Sequence, residues 1–198
     1  ALLEMLSAAA RQGLPLAPAA HAFALERFSL VGWQAKSLAT ALERAPDDLK
    51  LNERFHQLLF GLQARQRCLR HLAHYLPLAA RQTPALAATA LLNARQLQSD
   101  YLPDDALLCE QLAGALLARH KTREGLSLLR NLHQRFPDYP HIPRAYLLAA
   151  RGFAEGLGQL EPARQLLGFI RQRYPASPLL GEVASLEAII AKLAAVPS

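Results

Sequence analysis

The chain has 198 residues and a mass of 21.7 kDa, enough for one large or two small domains with a proper core. Apolar residues make up 52%, but Val, Ile and Thr together number only 11, which leaves a β-sheet without the branched side chains that pack on a pleated surface and points to an all-α protein. The net charge of +6 comes from 22 basic residues strewn along every segment, 18 of them arginine, a pattern of solvated helix faces rather than one anion-binding run.

In chain order, apolar periodicity predicts helices over 1–12, 17–28, 33–45, 49–62, 65–76 and 84–99, with Pro46, Pro77 and Pro103 as breaks. Further helices are predicted over 105–119, 122–135, 143–156, 162–173 and 178–194. Thr83-Pro84, Glu161-Pro162 and Ser177-Pro178 each place proline where a helix starts, and Asp47-Asp48 and Asp104-Asp105 stand where carboxylates cap free amides. Helices of this length joined by short turns favour antiparallel neighbours. The longest uncharged stretches, 12–25 and 82–94, are too short for a membrane span and contain proline. The chain opens at Ala1 in a helical pattern, the mark of a piece of a longer protein, and its compartment stays open, with a cytoplasmic or cytoplasm-facing location favoured.

Residues 128–140 read LLRNLHQRFPDYP, and 38 positions later residues 166–178 read LLGFIRQRYPASP. Leu128, Leu129, Leu132, Arg135, Phe136, Pro137 and Pro140 are answered by Leu166, Leu167, Ile170, Arg173, Tyr174, Pro175 and Pro178. Leucines at i, i+1 and i+4 give a helix one apolar stripe, and proline forbids its continuation. One helix pair cannot hide that stripe alone, so the duplication predicts units stacked face to face.

These residues resemble the tetratricopeptide repeat. Leu112, Ala113 and Leu116 look like its first-helix positions, and Gly125, Leu129, Leu132 and Pro137 like its second-helix positions; Ala163, Leu167, Ile170 and Pro175 keep the same spacing. Arg151 departs from the pattern, standing where the family prefers a small residue, with Gly152 one place off. The resemblance covers residues 105–178, with degenerate traces at Ala90, Ala94, Leu97 and Tyr101 and at 41–49. It implies an α-α superhelix of antiparallel helix pairs, a right-handed solenoid over 79–198 closed by a capping helix at 178–194. Residues 1–78 would be degenerate repeats or a separate small bundle. A second similarity links residues 1–77 to the cytoplasmic helical domain of the type II secretion F family, through GLPL at 13–16, SLATAL at 37–42 and GLQARQRCLRHLAHYL at 61–76, although Leu62 replaces that family's acidic residue.

Cys68, His71 and His74 are the residues that most invite a chemical reading. On a helix, steps of three turn the outer two side chains about 120° apart, which prevents convergence on one ion, and zinc motifs pair a close couple with a distant one. A nucleophilic cysteine needs a base and an orienting group in a pocket, and the sequence supplies none. Gly152, Gly156 and Gly158 follow no strand, so no phosphate loop is expected. No catalytic residue, metal ligand or cofactor is therefore expected, and the chain is read as a non-enzyme. Arg65, Arg67 and Arg70, and Arg119, Lys121 and Arg123, could meet phosphates, but no aromatic residues interleave with them, so nucleic acid is the less favoured partner.

The resemblance implies a protein-protein interaction scaffold that holds a partner peptide or helix in a concave groove, facing which are Leu107, Glu110, Gln111, Gly114, Leu117, Ala118, Leu148, Gly152 and Glu155. The alternative reading is an adaptor platform of a bacterial membrane-bound secretion or pilus system.

Overall fold

The computed structural model describes residues 34–195, so the helices expected over 1–12 and 17–28 lie outside the described residues. All regular structure among the described residues is helical. The chain divides into two compact units between Tyr75 and Leu76.

In the first unit a helix over 34–44 (α1) precedes Leu49–Gly61 (α2), followed by the start of Arg65–Gln82 (α3). Asp48 caps α2, its carboxylate accepting from the Leu51 amide at 3.0 Å. The facing stripes of α2 and α3 bury Phe55, His56 and Leu59 against Cys68, Leu72 and Tyr75. The expected stop at Pro77 is not found, because α3 runs through it to Gln82. A proline inside a helix loses one hydrogen bond and costs about 3 kcal/mol. Leu76 before it and Ala79 and Ala80 beyond it are all buried, and burial at up to about 3 kcal/mol for the leucine and about 0.8 kcal/mol for each alanine methyl offsets that cost.

The second unit continues with Pro84–Leu97 (α4), Ala106–Leu117 (α5), Thr122–Leu129 (α6), the single turn Leu132–Arg135 (α7), Ile142–Arg151 (α8), Leu160–Arg173 (α9) and Leu180–Ala195 (α10). The Asp105 carboxylate caps α5 through the Leu108 amide. Each long helix packs on the next in sequence, giving a layered arrangement of antiparallel helix pairs. Leu128, Leu132, Leu167 and Ile170 are fully buried between the layers.

The closing part of the duplicated motif forms the same local structure twice. Phe136 (φ −136°, ψ 72°) and Tyr174 (φ −131°, ψ 57°) end their helices with nearly identical backbone, each amide donating to the carbonyl four residues back. The following turn closes identically, Tyr139 N–H to Phe136 O at 3.1 Å and Ser177 N–H to Tyr174 O at 3.0 Å. At the helix crossing of the first copy, a Cβ on Gly125 would lie 3.1 Å from the Ala113 carbonyl oxygen and 3.3 Å from Leu117 Cγ, which explains the small residue there.

The helices depart from the sequence expectation at two places. The helix expected over 122–135 is interrupted: Arg130 is extended and Asn131 left-handed (φ 53°, ψ 30°), whereas the matching positions Gly168 and Phe169 lie inside the unbroken α9. The helix expected over 143–156 ends as a π-turn over Gly152–Gly156. A π-turn inserts one residue into a helix, which accounts for the mismatch at Arg151 and Gly152.

Candidate functional site

A cleft of ≈ 590 Å³ in the second unit is lined by residues of α5, α8 and α10 together with Ala80 and Pro84. Of the nine anticipated residues it gathers four: Glu110, Gln111, Gly114 and Leu148. Their i, i+1, i+4 spacing on α5 puts the first three on one helical face. Gly114 leaves open space, since a Cβ there would meet only Leu148 Cδ2, at an ordinary 3.9 Å.

The other five lie elsewhere. Leu117 packs over the second-helix crossing, and a Cβ added to Gly152 would come within 2.9 Å of its Cδ2, so these two residues make interlayer contact rather than groove wall. Ala118 is the exposed C-cap of α5, and Leu107 is exposed at the start of that helix. Glu155 lines a neighbouring hollow of ≈ 580 Å³ with Arg151, Pro178 and Ile189. The π-turn rotates this stretch relative to an uninterrupted helix, which is why template spacing misplaces Gly152 and Glu155.

Sequence reasoning missed Arg144, Leu147, Arg151 and Glu182 as cleft residues. The available signal was helical spacing, since Arg144 and Arg151 flank Leu148 at four and three residues on one face of α8.

Glu110 faces the cleft but is not free to receive a ligand. It is only 3% exposed, accepts from the Tyr139 hydroxyl at 2.7 Å and pairs with Arg144. Burial and the adjacent carboxylate push the Tyr139 hydroxyl pKa upward. Across the cleft Arg151 pairs with Glu182 at 2.9 Å. The four charged groups of this cleft thus neutralise one another in pairs, and its remaining surface is apolar or carboxamide.

The cysteine-histidine run belongs to the first unit and is occupied with packing. Cys68 is fully buried with Sγ 3.5 Å from His56 Nδ1, and burial pushes its thiol up to about 11. His71 Nε2 donates to Asn52 O at 3.1 Å and His74 Nε2 to Pro46 O at 2.9 Å, so both rings hold the α2 entry against α3. Burial and the nearby His71 lower His56 to about 4. Among the described residues no group of three or more His, Cys, Asp or Glu is placed to hold a metal ion.

The basic residues prove partly structural. Arg119 donates to Ala85 O at 3.0 Å and Thr89 Oγ1 at 2.9 Å, tying α5 to α4. Arg135, Arg95 and the backbone they bridge act likewise, through Pro103 O at 2.9 Å and Ser127 Oγ at 2.9 Å. Arg65, Arg67 and Arg70 are exposed on α3, and Lys121 and Arg123 flank the start of α6. Among the described residues no helix is long and apolar enough to cross a membrane.

No family model matches the sequence. No curated protein matches it either. Among solved structures the chain is similar to one described as "Crystal structure of MamA protein", at 12% identity and a TM-score of 0.34, over 77% of this chain and 90% of that chain. A superposition that loose says nothing of ligand or partner, and the helix-pair architecture rests on the packing described above.

Proposed function

We propose that this chain is a non-enzymatic interaction module of the tetratricopeptide type, which holds a helix or peptide of a partner protein in the cleft between α5, α8 and α10. The observation that carries the reading is the composition of that cleft. Gly114, Ala115, Leu147 and Leu148 offer an apolar floor, while Glu110–Arg144 and Arg151–Glu182 are already paired. Such a surface rewards burial of an apolar stripe and asks little of ligand charge. Gln111 is the polar group left to fix register by hydrogen bonding.

The absence of catalysis in this reading is supported by Cys68, whose buried, upward-shifted thiol is a poor nucleophile at neutral pH.

The reading is tested by filling the cleft without disturbing the fold. Gly114→Leu places a side chain in open space and replaces a helix-weakening residue. Affinity capture with the wild-type chain and with G114L side by side should show one partner retained by the first and lost by the second. An identical set of retained proteins would remove the cleft as the binding site.

A further inference from the structure

A second cleft, of ≈ 640 Å³, opens on a different face of the second unit, between the interrupted helix α6–α7 and the helices α8 and α9. Its apolar wall is Leu126, Leu129, Ala149, Phe153, Leu166 and Phe169. The Phe169 ring in this wall has its centroid 5.0 Å from that of His133 and 5.4 Å from that of Tyr146.

The polar groups of this cleft differ in kind from those of the first. Its lining contains Arg130 and no carboxylate, and among the described residues Arg130 has no ion-pair partner. The Tyr146 hydroxyl accepts from the His133 backbone amide at 3.4 Å and bonds His133 Nδ1. Asn131 and Gln165 add carboxamides. An aromatic slot edged by the Arg130 cation and two carboxamides is complementary to a bulky apolar side chain next to a carboxylate.

The helix interruption is an independent observation at the same place. Arg130 and Asn131, the two residues of the break, both line the cleft, and Asn131 holds a left-handed backbone that L-residues disfavour. The second copy of the motif runs unbroken through Gly168 and Phe169. The break leaves Arg130 exposed at the cleft.

We infer that this cleft is a second docking site, for a segment of a partner protein that carries an aromatic or large aliphatic residue beside aspartate or glutamate. The inference shares the interaction-module reading above but not its cleft. A random dodecapeptide library displayed on phage, panned on the immobilised full chain, tests it. Enriched peptides should pair an aromatic or large aliphatic residue with an acidic neighbour, and should bind Arg130→Glu at least about tenfold more weakly, with circular dichroism unchanged. The same peptides should bind G114L as they bind the wild type. No enrichment, enrichment of basic peptides, or acidic peptides indifferent to R130E would each overturn the inference. Peptides lost on G114L but not on R130E would do so too, while upholding the first cleft.

Discussion

Glu110 shows how far a side chain's setting can differ from its helical position. Spacing on α5 places it among the cleft residues, but no pattern in the sequence announces that Tyr139 and Arg144, 29 and 34 residues on, arrive to occupy its two oxygens. The pair is lopsided, Glu110 side chain 3% and Arg144 61% exposed, so removing either partner has unequal consequences. Arg144→Ala leaves a buried carboxylate with one neutral donor and should cost about 2–3 kcal/mol in urea unfolding. Glu110→Gln keeps an acceptor for Tyr139 and frees Arg144 to water, so it should cost about 1 kcal/mol or less. Equal losses would show that desolvation of an unpaired Glu110 carboxylate is not the dominant cost. Cys68 makes the complementary point: its helix spacing invites a chemical role, yet its thiol is buried and shifted to about 11. Iodoacetamide at pH 7.5 should label it only as fast as the first unit unfolds, and rapid labelling of the native chain would contradict the burial.

At the scale of helices, most boundaries were legible because caps and stripes are local. Asp48 and Asp105 cap where expected, and α2, α4, α5 and α10 begin within two residues of the predicted positions. What was not legible depends on tertiary packing: α3 passes through Pro77, α6 breaks before α7, and α8 ends in a π-turn. The break is testable at Asn131. Its φ of 53° predicts that Asn131→Gly stays within about 0.5 kcal/mol of wild type while Asn131→Ala loses about 1 kcal/mol, read from chemical denaturation midpoints. At the π-turn, a Cβ on Gly156 would stand 2.7 Å from both Thr122 Cγ2 and Oγ1. Thr122 is branched and held in α6, so Gly156→Ala should cost about 1–3 kcal/mol by overpacking. A neutral alanine would mean that Thr122 can turn away.

At the scale of the whole chain, two histidines that burial depresses, His56 and His71, both lie in the first unit. His56 in the first unit is neutral in the fold and depressed to about 4 from 6.5, with His71 also lowered by burial. Between those pH values the unfolded chain binds a proton that the folded unit refuses, so this contribution is fully present above pH 6.5 and is lost as pH falls toward 4. The shift corresponds to roughly 3 kcal/mol. Amide hydrogen exchange at pH 7 and pH 4.5, corrected for intrinsic rates, should show protection in α2 falling further than in α5. His56→Leu should flatten that dependence, and an unaltered profile would assign the acid response to other groups. The duplicated turn, by contrast, was readable in full: seven matched residues were enough to foresee that Phe136 and Tyr174 close their helices alike. The location of the clefts was only half readable, because it depends on which helix faces the layers leave uncovered.

The π-turn at Gly152–Gly156 has a bearing on how such chains diverge. By taking up a surplus residue inside one helix, it lets the first half of a module lengthen while the second half keeps its spacing, Ala163, Leu167 and Ile170 all remaining fully buried. A template of constant period falls out of phase at this point and regains phase a few residues later. Ancestral kinship written in such a chain would be legible in its turns and second helices, and erased where the extra residue was absorbed.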